Sequence, residues 1–434
     1  LQYIKNIFLE IQFMPATTPA GAATPAAALG RFRLFLAVAG PGLVVMLADT
    51  DVGSIVTAAQ SGVQWGYRLL GLQLLLIPVL YVVQELTVRL GIFTGRGHGE
   101  LIREKFGRPW AFVSVTGLAI AVLGALVTEF SGVAGIGELF GVPRAASLAL
   151  AVAALLAVVL TGSYRRVERV AIICGLFELA FLGVAWTAHP DFPAMLRGSL
   201  DIPYANRDYL YLVAANIGAV IMPWMIFYQQ SAIADKKLRI EHFGAARLDT
   251  AFGSIVTQII MAAVLIAAAA TIGRSNPHAN LGAVGDISDA FTPFLGTTMA
   301  RLIFGLGVLG AGMVAAVVVS LALAWGIGEV TGFRHSLELH PAKAPWFYGA
   351  YAVCTLAGAG LVLVMPDLVA LNIAVEAMNA LLLPLVLGLL IALAVRALPE
   401  GQNLRGWYLW LVLALAIMTT MLGIFGALSG MGVV

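Results

Sequence analysis

The sequence predicts an all-α polytopic membrane protein made of two five-helix halves and one further helix. Three observations predict it. Of 434 residues, 60% are hydrophobic and 11% charged, with mean hydropathy +0.94; a soluble domain carries about 25% charged residues. Eleven apolar stretches have the length, near 20 residues, that spans hydrocarbon as a helix. The first and sixth are interrupted at matching places.

Taken in order, the stretches lie near 34–62, 69–94, 110–139, 145–163, 167–190, 207–234, 250–272, 298–330, 346–364, 368–395 and 406–431. Residues 1–30 hold a short apolar piece, Ile4 to Phe13, and then a Pro/Ala/Thr-rich run. That piece is too short to span and lacks a small-residue cleavage pattern, so it reads as a mobile cytoplasmic arm. Residues 31–190 form the first five-helix repeat, 191–397 the second, and 398–434 the additional C-terminal helix. The loops carry the orientation signal. One face collects 19 of the 25 Lys and Arg residues, the other only Arg68, Arg144, Arg197, Arg207, Arg274 and Arg301. The positive-inside rule places the N-terminus in the cytoplasm and, with an odd number of spans, the C-terminus outside. A plasma (inner) membrane location follows. Cys174 and Cys354 sit in different apolar stretches and read as free thiols.

The first interruption is Asp51-Val52-Gly53-Ser54, with Asp49 and Thr50 just before it. An Asp at a helix centre costs roughly 2.5–3.5 kcal/mol on insertion scales, and a bound cation is the simplest compensation for two in one turn. The sixth stretch breaks at Met222-Pro223, because proline removes a backbone donor and clashes with the preceding turn. Paired interruptions in corresponding places point to an inverted-repeat transporter with its site at the midplane. Asp51, Ser54 and freed carbonyls make a hard oxygen set that suits a divalent cation; the carbonyl of Ala219 and the thioether of Met222 would face it from the second break. Taken alone, Met222 equally fills core volume.

Other polar residues in the spans keep two readings. Asp49 is a vestibule residue or helix cap on one, and a support for the ion on the other. Glu129 either carries a proton or hydrogen-bonds between helices. Glu85 pairs with Arg89 one turn on. Glu178, and Glu376 with Asn379 one turn later, are packing spots or line an ion path. Gly305, Gly307, Gly310 and Gly312 read as close helix packing. No phosphate loop, Cys/His zinc pattern or catalytic triad spacing appears, and Gly95-Arg96-Gly97-His98-Gly99 follows a span rather than a strand. An enzyme is not expected.

Gly40-Pro41-Gly42, Asp51-Val52-Gly53-Ser54, Gln60-Ser61-Gly62-Val63-Gln64-Trp65-Gly66-Tyr67, Arg89 to Gly95, and Gly218-Ala219-Val220-Ile221-Met222-Pro223 together resemble the Nramp divalent-metal transporters. The resemblance covers the first eight spans well and the remainder loosely. It implies a ten-helix LeuT-type 5+5 inverted-repeat core with broken helices 1 and 6. It implies Asp51, Ser54, the Ala219 carbonyl and Met222 as metal ligands, and Glu129 as the helix-three glutamate linked with proton movement. The departures are specific. Val52 replaces the family proline and Ser54 its asparagine; Trp224 and Gln229 stand where the family has histidines, the side chain that titrates near neutral pH. Asp49 is an added acid. These changes resemble the Nramp-related magnesium transporters, and Mg²⁺ keeps several waters and prefers oxygen.

The expectation is import of Mg²⁺ and/or Mn²⁺ by alternating access with weak or no proton coupling. A proton-coupled Mn²⁺/Fe²⁺ transporter and a sodium-coupled transporter of a small organic solute are the alternatives. A non-transporting sensor is set aside because no large soluble region is present. Asp49, Trp224, Gln229, Glu129, Glu376 and Asn379 are placed around the ion or along its path. No cofactor is expected beyond the transported ion. The partners are that ion and the lipid bilayer, not nucleic acid; the oligomeric state is open, with a monomer compatible.

Overall fold

Backbone groups in hydrocarbon must be satisfied within the chain, so uninterrupted apolar runs become helices. The structure is a computed structural model and describes residues 40–275, 281, 285–288, 296–365 and 368–433. The arm at 1–30 lies outside the described residues. The first span is α1 (Pro41–Asp49) and α2 (Val52–Trp65), bent by 46° at their junction. α3 (Leu70–Thr94) returns, and its Gly95 cap takes the left-handed conformation (φ 66°) that glycine adopts without a Cβ penalty. A surface helix, α4 (His98–Phe106), leads into α5 (Arg108–Leu139) and the 16-residue α6 (Arg144–Val159). The fifth span is α7 (Tyr164–Leu176) and α8 (Ala180–Thr187), joined by a 3-10 turn at Phe177–Leu179. A short outer helix, α9 (Phe192–Leu200), precedes the sixth span, α10 (Arg207–Gly218) and α11 (Pro223–Asp235). Then come α12 (Phe243–Ala270), α13 (Thr297–Thr331), α14 (Pro345–Val364), α15 (Leu368–Arg396) and α16 (Gly406–Gly430).

Among the described residues, nine helices are long and apolar enough to cross a membrane and the bent pair α1–α2 makes a tenth. With α6 they account for the eleven apolar stretches, and the LeuT-type architecture expected from sequence is the one observed. At about 1.5 Å per residue α6 rises only about 24 Å; it ends early because the chain turns through Gly162 (φ +59°).

Two boundaries moved. The first break is at Thr50-Asp51, starting one residue before the expected 51–54 interruption and ending three residues sooner, because Asp51 caps α2 and draws Val52 to Ser54 into its first turn. The seventh span starts at Phe243 rather than near 250, and its extra turns carry charge satisfied inside the protein. Arg247 Nε stands 3.3 Å from Glu85 Oε1. Asp249 Oδ2 accepts from the backbone N–H of Gly40, Gly42 and Leu43 at 3.3, 2.9 and 3.1 Å. Those are orphan donors of α1, whose own N-cap is a glycine with no side chain to offer. Beside them Lys236 Nζ pairs with Glu168 Oε1 at 2.8 Å.

The Glu85–Arg89 pair forms at 2.6 Å as the spacing predicts, and the fold adds the Tyr408 hydroxyl at 3.2 Å, tying α16 to α3. The α13 glycines mark close packing: a Cβ would press Phe140 at Gly305, Phe181 at Gly307, the Cys174 carbonyl at Gly310 and the Glu129 carbonyl at Gly312. Both cysteines are free. At Gly218 a Cβ would strike the Glu376 carbonyl, so α10 lies against the α15 backbone at the second break.

Candidate metal centre

The two breaks meet through atoms that helix geometry leaves unsatisfied. In an uninterrupted helix the carbonyl of Ala219 would accept from the N–H of residue 223. Residue 223 is proline and has none. The Ser54 hydroxyl takes that place, donating to Ala219 O at 3.1 Å across the two spans. Met222 is the N-cap of α11, fully buried, with no side-chain capping bond. Thus Ser54, Ala219 and Met222 gather at one junction.

Asp51 sits at the same place from the other side. Its Oδ1 accepts from Ser54 N at 2.7 Å, while its Oδ2 has no partner and no solvent exposure. The positive end of the α2 dipole favours the carboxylate there. Glu129 Oε2 takes a second orphan donor of the same helix, Val52 N, at 3.2 Å, and its Oε1 accepts from the Thr128 hydroxyl at 3.1 Å. Glu129 therefore supports the start of α2 from α5.

Glu376 Oε2 accepts from Asn379 Nδ2 at 3.0 Å, which is the one-turn pairing expected. Glu376 Oε1 is left without a partner and lies where a Cβ on Gly53 would fall, so the pair faces the first break. Asp51, Glu129 and Glu376 are close enough for their charges to interact. The described ion pairs all lie elsewhere. Three clustered carboxyl groups, with Glu129 in hydrogen-bonding reach of Asp51 and no basic neighbour, make a place where an entering cation is favoured. Among the described residues no three His, Cys, Asp or Glu side chains converge as a ready-made metal cluster. A metal here would rest on one carboxylate with neutral oxygens, a thioether and water, a set weak enough to release a cargo ion.

Asp49 ends α1, buried, with Oδ1 unpartnered and Oδ2 3.5 Å from the Thr257 hydroxyl. Trp224 is the second residue of α11 and fully buried, its Nε1 without a partner. Gln229 is not brought to the junction. Six residues into α11, about 9 Å further along, it accepts from Thr87 at 2.6 Å and donates to Thr250 at 2.8 Å, bridging three helices.

Sequence reasoning missed three side chains. Thr57 lies one turn after Ser54 with an unpartnered buried hydroxyl, and its i, i+3 spacing is a signal that could have found it. Asn372 accepts from Ser131 at 3.1 Å and keeps its amide N free. His98, at the start of α4 and outside the spans, is fully buried, bonded to Gln230 at 2.9 Å and edge-on to Phe227; burial lowers its pKa to about 4.

With this geometry in hand, residues 42–429 match the family model described as natural resistance-associated macrophage protein-like. The divalent metal cation transporter MntH of Agrobacterium fabrum is 28% identical over 328 residues, covering 73% of this chain and 69% of its own length. The MntH of Yersinia enterocolitica is 29% identical over 302 residues, covering 67% and 72%. A crystal structure of the Eremococcus coleocola manganese transporter superposes with TM-score 0.75 at 18% identity, over 95% of this chain and 89% of that one. MhsT in complex with L-phenylalanine superposes with TM-score 0.63 at 14% identity, over 92% and 98%.

Proposed function

The chain belongs to the Nramp family of divalent-metal transporters, and from that premise we propose that it moves Mg²⁺ or Mn²⁺ into the cytoplasm through the junction of its two broken spans. The observation that carries this reading is the buried, unpartnered Asp51 Oδ2 opposite a carbonyl, Ala219 O, that proline has deprived of its helical donor. Asp51 anchors the ion. Ser54 releases Ala219 O to it and offers its own oxygen; Met222 adds a soft contact. Water completes the shell, as Mg²⁺ prefers. The relatives' names carry divalent metal cations and manganese; the harder donor set at Ser54 favours Mg²⁺ alongside Mn²⁺.

Transport proceeds by alternating access, with the broken helices rocking against the other spans. The ligand residues are all buried here, so the junction is closed on both sides. The Lys/Arg-rich face is cytoplasmic, and the repeats run over 31–190 and 191–397 with 398–434 outside them. Coupling to protons is weak or absent, because Trp224 cannot titrate where a histidine would. The test is uptake into proteoliposomes. Asp51→Ala abolishes Mn²⁺ and Mg²⁺ entry, and wild-type entry proceeds without lumen acidification; unimpaired Asp51→Ala uptake refutes the site, and a metal-dependent acidification refutes the uncoupled reading.

A further inference from the structure

The first break is flanked by a second group of buried polar side chains, from the first, fifth and seventh spans. Glu178 lies in the single 3-10 turn between α7 and α8, fully buried, with both carboxylate oxygens unpartnered. It stands beside Thr50 and within Coulombic reach of Asp51 and Asp49. Asp49 Oδ1 is also unpartnered. Gln258 of α12 faces Asp49 with its amide, is fully buried, and makes no well-formed hydrogen bond through either its oxygen or its nitrogen.

The nearby hydroxyls do not fill the gap. The Thr50 and Thr257 hydroxyls share one 2.6 Å bond, and Thr257 reaches Asp49 Oδ2 only at 3.5 Å. That leaves one hydroxyl proton facing two buried carboxyl groups, Asp49 and, beside Thr50, Glu178. Leaving one buried polar group unsatisfied costs about 1–3 kcal/mol, and more when it is charged. Here four oxygens on three side chains are unsatisfied together, and the described ion pairs include none of them. A cation held among them would satisfy them together. With no nitrogen or sulfur among the free acceptors, the donor set selects a hard, oxygen-liganded ion.

We propose that Asp49, Glu178 and Gln258 form a second cation site, for a hard ion such as Na⁺ or Mg²⁺, next to the transport junction. Its ligands come from the first, fifth and seventh spans, whereas Asp51, Ser54, Ala219 and Met222 come from the first and sixth. An ion there ties the end of α1 to the turn between α7 and α8 and to α12. Because Asp49 and Asp51 stand two residues apart at the same break, occupancy of one site shifts affinity at the other, and by linkage the effect is reciprocal. The site stands on the unpartnered atoms and does not require the transported ion to be known.

The test is thermal unfolding of the purified full chain in the Asp51→Asn background, where the first site is disabled but the cap of α2 is kept. NaCl and MgCl2 are titrated separately against choline chloride. One of them raises the midpoint by about 3 °C or more, which also identifies the ion. Glu178→Gln removes the rise, and Gln258→Met reduces it. Should Glu178→Gln fail to fold, Gln258→Met decides alone. No response to either salt overturns the proposal, as does a response that survives undiminished in the folded variants. Asp51-dependent metal uptake by the wild type is read separately and stands or falls on its own.

Discussion

Replacing Asp249 by alanine should unlatch the inner half of the first span. A single oxygen of Asp249 receives three backbone N–H groups at the start of α1. Charge-assisted bonds of this kind contribute about 1.5–3 kcal/mol. In an inward-open state the same donors reach water, so the alanine penalises the closed state by nearly the whole amount. A loss of about 2–3 kcal/mol moves the closed-to-open ratio by roughly 30–150-fold, at 1.4 kcal/mol per tenfold. The reporter is a cysteine at Ala48, which is fully buried, in a chain carrying Cys174→Ser and Cys354→Ala. Labelling by a membrane-impermeant thiol reagent from the Lys/Arg-rich face should quicken at least tenfold (about 1.4 kcal/mol) in Asp249→Ala. Asp249→Asn, which keeps an acceptor, should restore most of the protection. A folded Asp249→Ala variant that labels at the parent rate refutes the latch.

Two further outcomes follow from the same structure. His98 is held near pKa 4 when folded against about 6.5 when unfolded. The unfolded chain therefore takes up a proton that the folded one refuses, and stability falls as pH drops from about 6.5 to about 4, by about 3 kcal/mol in all. His98→Gln should flatten that part of the unfolding-midpoint curve, and superimposable curves would show that His98 is not responsible. Met222→Ala removes the one soft donor at the junction, so Mn²⁺ affinity should fall roughly tenfold while Mg²⁺ affinity changes little; equal losses for both ions in equilibrium binding would assign Met222 to packing.

Most of the architecture was legible because the hydrocarbon constraint acts residue by residue. A run such as Leu70 to Thr94 has no soluble alternative, and Pro223 marks its own break. The Glu85–Arg89 and Glu376–Asn379 pairs were legible because helix spacing alone brings them together. The first break was drawn too long at its far end because a cap depends on which carboxylate turns back, and Asp49 and Asp51 compete equally on paper. Asp249 was invisible as a cap because its donors lie 206 to 209 residues away. Gln229 was placed around the ion or along its path because it stands where the family has a histidine; helix rise sets it about 9 Å beyond the junction, bonded to Thr87 and Thr250. Glu178 kept both a packing and an ion-path reading, since nothing local shows that its span loosens into a 3-10 turn and leaves its buried carboxyl with only the Thr50 hydroxyl beside it.

The central claim is that Asp51 anchors a divalent ion between the two broken spans. Isothermal titration of the purified chain with Mg²⁺, Mn²⁺ and Ca²⁺, repeated on Asp51→Ala, tests it most directly. The wild type should give saturable binding of Mg²⁺ or Mn²⁺ that Asp51→Ala loses. Binding of the same ion with unchanged affinity in a folded Asp51→Ala variant would contradict it.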